Sequence, residues 1–371
     1  MTASWAGLTH LLRHCLGIGS TFVAFREPGK EVEVIISALP EPTIMSAEEL
    51  ERVADRFVVG PFLTGPGGFH VIAPGQCFRL HAGSPTPPLA AHTMSDHAIA
   101  ERPAIALDRT AHANAIAEAQ RAMASGPLRK VVLARTINLP FPREKVPELF
   151  TDALDKQHGA FLCLMHTPNW GTWLGASPER LVSVVGEKLV IDSIAGTCPT
   201  SNAPSTAENW GAKEREEQAL VTEQVLTVLA EEGFGPVHVQ GPEVLRSAQV
   251  AHLHSRIQAP TGPGSVARLV ARLHPTPAVC GTPTDLARDL IHRLEPMDRG
   301  LYAGFWGPWR MGGRTLLHVN IRCMRVFRTT VDLYVGGGIT AASQAELEWK
   351  ETEHKALTWA MPLTSWAGRV S

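Results

Sequence analysis

The residues best spaced to do chemistry lie near the C-terminus, in "GGGITAASQAELEWKETEHKAL". At about 100° per residue, a helix through this stretch projects Glu348, Glu351 and Lys355 into one narrow sector. Ser343 and Glu346 have the spacing of a capping box and Leu347, Leu357 and Trp359 supply apolar positions, so a helix is predicted. Glu351 and Lys355 alone read as a surface ion pair worth roughly 0.3–0.5 kcal/mol. Glu348 and Glu351 repel each other, however, and two carboxylates beside an ammonium suit a hard cation together with an anionic ligand.

In "AKEREEQALVTEQVLTVL" the stripe Val221, Val225 and Val228 extends back to Glu217, so a carboxylate heads a buried helix face. Buried alone it would be costly; it needs a cation, a proton or a donor such as Lys213 one turn away. A simple ion pair at the helix start and a metal role both stay open, and Glu214 can support Glu217 through water. Lys130 opens "KVVLART" on the strand face of Val132 and Ala134. Such a lysine usually snorkels at an edge; buried, its pKa would fall from about 10.4 and it could act as a base. Glu179 follows Pro178 at a strand start, either as a solvated carboxylate or, with a raised pKa, as a proton donor. His252 and His254 alternate on one strand, but no third imidazole is spaced to complete a zinc site, and a satisfied core histidine is the simpler reading. Gly336 to Gly338 do not form a dinucleotide fingerprint; they let a ligand approach the backbone.

The elements that must position these groups read as follows. Residues from about 20 to 40 suggest strands, followed by Pro- and Gly-rich connections through "GPFLTGPGG" and "HAGSPTPPLAAH". A helix from Ala111 to Ala124 leads into the strand "KVVLARTINL", then strands at "FLCLMH" and "LVSVVGEKLVIDSIAG" with a Gly186-Glu187 turn. A long helix from Ala212 to Glu231 precedes strands at "VHVQ" and "VAHLHSRIQ", helices near 264 to 273 and 284 to 294, and strands at "YAGFWG", "TLLHVNIRCMRV" and "VDLYVGGG". Strand runs and helix runs are grouped, which predicts α+β layers over a doubly wound parallel sheet.

Composition bounds the function. With 371 residues, 44% apolar, the chain is long enough for one large domain or two smaller ones. Lys plus Arg at 34 against Asp plus Glu at 36 gives a net charge of -2, so nothing global favours nucleic acid or an anionic membrane. The six cysteines (Cys15, Cys77, Cys163, Cys198, Cys280 and Cys323) are scattered without C-x-x-C spacing, which fits a reduced cytoplasm. Arg13 and His14 interrupt the only apolar N-terminal stretch, and no membrane span or export signal is read.

The ordered stretches "KVVLAR", "GASPERL", "IAGT", "KEREEQALV", "AHLHS", "LHPTPAVCGTP", "EPMDRGLYAGFWG", "HVNIRC", "YVGGGIT" and "EWKETEHK" resemble the chorismate-utilising enzymes: isochorismate, salicylate, anthranilate and aminodeoxychorismate synthases. The likeness runs from about Ala111 to Leu363. It implies a single large α+β domain of the aminodeoxychorismate synthase type, in two similar layered halves with antiparallel sheets, with 1–110 as a weakly matched N-terminal part and 111–365 as the catalytic region. It further implies that Glu217 and Glu351 hold Mg²⁺, with Glu214 and Glu348 acting through water. Arg322, Lys355 and amides near Gly338 would hold the enolpyruvyl carboxylate of chorismate, and Gly196, Thr197, His252 and Ala278 would line the ring pocket. Lys130 stands where water-adding members carry lysine and anthranilate synthases typically carry glutamine. The family mechanism has Lys130 activate water for attack at C2 while protonated Glu179 helps the C4 hydroxyl leave.

Ala278, where salicylate synthases tend to have threonine, favours isochorismate as product. A salicylate synthase is the alternative within the family, and a non-catalytic chorismate-binding protein the alternative outside catalysis. No glutaminase subunit is expected, and a monomer is. Two positions depart from the family pattern: Cys198-Pro199 follow "IAGT" where arginine is frequent, and Gln218 replaces a histidine often found after the first metal glutamate.

Overall fold

The computed structural model describes residues 4–63, 68–88, 107–246, 250–262 and 264–367. Parts of the Gly- and Pro-rich stretches read above as connections, 64–67 and 89–92, lie outside the described residues. The first third holds α1 (Ala6–Gly17), β1 (Phe22–Arg26), β2 (Val32–Ser37), β3 (Thr43–Met45), α2 (Ala47–Glu51), β4 (Arg56–Gly60), β5 (Phe69–Ile72) and β6 (Pro74–Leu80). The middle runs through α3 (Arg109–Ser125), β7 (Lys130–Pro140), α4 (Val146–Lys156), β8 (Phe161–Thr167), β9 (Gly171–Ser177), β10 (Arg180–Val185), β11 (Lys188–Pro199) and α5 (Ala212–Glu231). Then come β12 (His238–Arg246), β13 (Val250–Pro260), α6 (Val266–Leu273), β14 (Gly281–Thr282), α7 (Thr284–Leu294), β15 (Phe305–Trp309), β16 (Arg314–Val319), β17 (Cys323–Val326), β18 (Thr330–Ile339) and α8 (Ala345–Ala367).

These strands form two nine-stranded sheets, and every named pairing is antiparallel. The first runs β14, β7, β18, β17, β9, β8, β1, β2, β6; the second runs β12, β13, β11, β10, β16, β15, β4, β5, β3. The α+β expectation therefore holds, and strands of the first third complete both sheets. One core lies between the sheets and continues under α3, α5, α6 and α7; a second lies between the first sheet and α1, α4 and α8. Strand β1 shows why its sequence is apolar throughout: Val23 and Phe25 join the core between the sheets, while Phe22 and Ala24 join the core under the helices.

Several boundaries differ from the sequence reading. "TLLHVNIRCMRV" is not one strand: β16 belongs to the second sheet and β17 to the first, and the chain changes sheets through Asn320–Arg322, where Arg322 has φ of 50°. Strand β9 was not anticipated, because its Gly, Trp and Ser content hides a period of two. Helix α1 occupies the N-terminal apolar stretch that Arg13 and His14 interrupt, and β1, β2 and α4 cover its apolar side. Ser343 does not cap α8; its hydroxyl accepts from the amide of Thr340 at 3.0 Å, and Glu346 pairs with Arg109 and Lys350 instead of closing a capping box.

Candidate active site

Two crossings between the sheets build the site. The chain passes from β9 to β10 at Pro178-Glu179, and back from β16 to β17 at Asn320–Arg322. The crossings are stitched together: the Glu179 carbonyl accepts from the Val319 amide at 3.1 Å, and the Arg322 carbonyl accepts from the Ala176 amide at 3.0 Å. Trp359 Nε1 on α8 donates to the same Arg322 carbonyl at 2.6 Å. Alongside, β17 pairs with β18 only from Cys323 opposite Tyr334 onward. Beyond Tyr334, the β17 side of β18 is thus left open, and Val335, Gly336 and Gly338 face a cavity of about 70 Å³.

That cavity is also lined by Glu179, Thr197, Glu217, His252, Ala278, Arg322 and Lys355. A larger cleft of about 850 Å³ between α4, β12 and α8 shares Pro178, His252 and Arg322 with it. Gly196 sits between lining residues Ala195 and Thr197 with φ of 63°, and a Cβ there would lie 2.7 Å from the Glu214 carbonyl, so no other residue fits without a shift. Glu214 itself is half-buried with its carboxylate against Gly211.

Buried carboxylates and amines are paired across elements. Lys130, fully buried at the start of β7, brings Nζ to 2.9 Å from Glu217 Oε1 on α5, an ion pair without well-aligned hydrogen-bond geometry. Lys355 Nζ lies 2.6 Å from Glu351 Oε1 and donates to the Gly336 carbonyl at 2.9 Å. Lys213 pairs with Glu348 at 2.6 Å, so it reaches α8 and is not the partner of Glu217 foreseen from helical spacing. The second carboxylate oxygen of Glu348 is buried and unpartnered.

Electrostatics separates the acids. Burial first, then the charge of Asp192, pushes the Glu179 carboxyl up to about 8, although Lys130 and Lys355 pull the other way. Glu179 is therefore mostly protonated at neutral pH. Burial alone would raise Glu217 too, but Lys130, Lys213 and Lys355 outweigh it and hold that group below the usual carboxylate range. Glu351 is raised, by burial and by Glu348 and Glu217, against Lys355. Burial, with Arg322 and Lys355 nearby, drives His252 far below the ordinary histidine range, so its ring is neutral. Arg322 Nη2 lies 3.2 Å from His252 Nε2, which makes Nε2 the acceptor and leaves Nδ1, 3.0 Å from Thr197 Oγ1, to carry the proton. Arg322 Nη1 donates to Thr358 Oγ1 at 3.1 Å. His254 turns to Asp192, Nε2 to Oδ1 3.0 Å, a satisfied core histidine as the simpler reading held.

The donor set fits Mg²⁺. An ideal Cβ at Gly338 would meet Glu217 Oε1 at 2.1 Å, and one at Gly337 would meet Glu348 Oε2 at 3.3 Å and Glu351 Oε1 at 3.6 Å. Three carboxylates thus crowd against two consecutive glycines. Among the described residues no three acidic, His or Cys side chains form a ready-made metal cage. Mg²⁺ asks for none, since it typically takes one or two carboxylates and completes its shell with ligand oxygens and water.

Sequence reasoning missed several residues here. Both tyrosines of the chain, Tyr302 and Tyr334, line the cavity with rings stacked 5.3 Å apart. Arg299 in "EPMDRG" is buried and donates to the Val132 carbonyl at 2.7 Å and the Val279 carbonyl at 2.9 Å, while its partner Glu295 accepts from the Ala134 amide at 2.7 Å. This network ties the strand of Lys130 to the loop of Ala278. The motif was visible, but its role depends on contacts far apart in sequence.

The profile described as chorismate binding enzyme matches residues 87–361. Isochorismate synthase DhbC of Bacillus subtilis is 35% identical over 260 residues, covering 66% of this chain and 65% of that protein. The match thus spans just under two thirds of that relative's length. Isochorismate synthase EntC of Escherichia coli is 32% identical over 270 residues, 70% of this chain and 68% of that protein. The solved structure of MenF, the menaquinone-specific isochorismate synthase of Escherichia coli, has the same fold, with a TM-score of 0.78 at 24% identity over 96% of this chain and 90% of that one. With its two-sheet fold, and with the profile matching well over half of its length, the chain belongs to the chorismate binding enzyme family.

Proposed function

We propose that the protein is a Mg²⁺-dependent isochorismate synthase, converting chorismate to isochorismate by adding water at C2 with loss of the C4 hydroxyl. One observation carries this reading: a buried carboxyl group held protonated, Glu179, lines the same cavity as Glu217, and directly behind Glu217 stands a fully buried amine, Lys130, its Nζ 2.9 Å from Glu217 Oε1. An amine and a neutral acid are the pair that hydroxyl exchange on a ring requires, one to take a proton from water and one to give a proton to the departing hydroxyl.

Glu217 and Glu351 would hold the ion, backed by Glu348 and Glu214. When bound, Mg²⁺ supplies neutralisation of the ring carboxylate. Arg322, fixed by His252 and Thr358, offers its guanidinium to the enolpyruvyl carboxylate, and Lys355 adds a second cation. Neutral His252 with Thr197 and Ala278 shapes the ring pocket. In its neutral form, not as the ammonium that pairs with Glu217, Lys130 accepts the proton of the attacking water, and Glu179 donates to the C4 oxygen. Because water is the nucleophile, no glutaminase partner is needed, and the scattered cysteines, all free, suit a cytoplasmic enzyme.

Incubation with chorismate and Mg²⁺ followed by chromatography tests the reading. Isochorismate is the expected product; salicylate with one equivalent of pyruvate would replace it with salicylate synthesis. Lys130→Ala should abolish turnover while calorimetry still detects chorismate binding. Retained turnover in that variant would remove Lys130 as the base.

A further inference from the structure

Strand β11 does not run regularly past the cavity. Its pairing with β13 steps between Ala195 and Thr197, and Gly196 at the step has positive φ. Such a bulge takes a backbone amide out of the ladder, and a buried amide without an acceptor is costly. The register leaves Gly196 without a partner on β13, and beside it the amide of Ala195 donates to Gln218 Oε1 at 2.7 Å. The other end of that side chain, Nε2, has the Ser193 carbonyl at 2.9 Å, Ser255 Oγ at 3.1 Å, Ser193 Oγ at 3.2 Å and Thr222 Oγ1 at 3.5 Å. Gln218 is 2% exposed, so water does not compete for these bonds.

The clamp joins three elements at the wall of the site. Gln218 follows Glu217 on α5, so fixing its amide against β11 and β13 also fixes the rotation of the helix turn that carries the Glu217 carboxylate. Past the step, Thr197 lies opposite His252 in the β13 register and approaches Nδ1 of that ring. The site thus has a carboxylate on one side of the bulge and the Thr197–His252 wall on the other, with one side chain setting the distance between them.

We infer that Gln218 is a positioning residue for substrate binding, acting through the Ala195–Thr197 bulge and through Glu217. The inference rests on the isochorismate synthase reading. Neutral glutamine provides an acceptor and a two-hydrogen donor at once, which the Ala195 amide on one side and the Ser193 and Ser255 oxygens on the other require.

Gln218→Met keeps volume and removes every bond. Steady-state kinetics should show KM for chorismate raised about tenfold, with kcat within about threefold of the unchanged protein. Hydrogen exchange at the Ala195 amide should speed up, and Gln218→His, which offers one acceptor and one donor, should bring KM back to within about threefold. A folded Gln218→Met protein with unchanged KM, or a loss of activity that follows only the loss of folded protein, overturns the inference. If Gln218→Met does not fold, Ser255→Ala, which removes one partner of the amide, should raise KM by about threefold, and an unchanged KM there is equally contrary. Absence of isochorismate with the unaltered protein would sink the functional reading; turnover with an indifferent Gln218 would sink this inference alone.

Discussion

Glu179 shows how much a residue's environment decides. Its sequence context permits either a solvated carboxylate or an acid; burial behind Pro178 and the charge of Asp192 choose the acid and push its pKa to about 8. Turnover through a protonated Glu179 should accordingly be lost as pH rises through about 8, and Glu179→Gln should fall by two or more orders of magnitude, within the usual range for removal of a general acid. A pH profile flat to well above 8 would deny Glu179 this role. The shift also has a stability consequence: between the ordinary carboxyl range and about 8 the folded chain retains a proton that the unfolded chain releases, so stability declines as pH rises through that window. Glu179 and Lys130 could be nominated from their motifs, but their burial could not be read locally, because it is produced by crossings and strands distant in sequence.

At the scale of elements, long periodic segments were legible and irregular ones were not. Helix α5 runs from Ala212 to Glu231 as its apolar stripe predicts, and β7 starts at Lys130. The sheet crossing in "TLLHVNIRCMRV" is hidden because Leu317, Val319, Ile321 and Cys323 alternate with His318, Asn320 and Arg322 as along one unbroken strand; the break is a positive φ at Arg322, held from outside by Trp359 and Ala176. Partner choice between helices was also hidden: helical spacing offered Lys213 to Glu217, while packing gave Lys213 to Glu348 and Lys130 to Glu217. Two of the three glycines of β18, Gly337 and Gly338, follow from the crowding of carboxylates; a Cβ at Gly336 would instead meet the Tyr302 hydroxyl at 2.7 Å. Gly338→Ala would put a Cβ 2.1 Å from Glu217 Oε1. Since the carboxylate must then move, Mg²⁺ binding measured by calorimetry with chorismate present should weaken at least tenfold while the fold persists. Unaltered Mg²⁺ affinity in that variant would separate Glu217 from the metal.

At the scale of the molecule, the near-neutral net charge is a poor guide to a site that concentrates carboxylates and amines in its interior. The balance is local: Glu217, Glu351 and Glu348 each have a lysine, and a doubly charged ion together with a doubly charged ligand preserves that balance. Among the described residues no helix is long and apolar enough to cross a membrane. Ligands that bind only the folded state raise its stability, by about 2.7 kcal/mol at a hundredfold excess over Kd. Chorismate with Mg²⁺ should therefore raise the melting temperature, chelation should reverse most of the rise, and an equal rise with chorismate alone would argue against the metal. The most direct test of water addition across the Lys130–Glu179 pair is turnover in ¹⁸O-water with isochorismate analysed by mass spectrometry. One ¹⁸O atom at C2 is the expected result; isochorismate carrying no solvent oxygen would contradict the account.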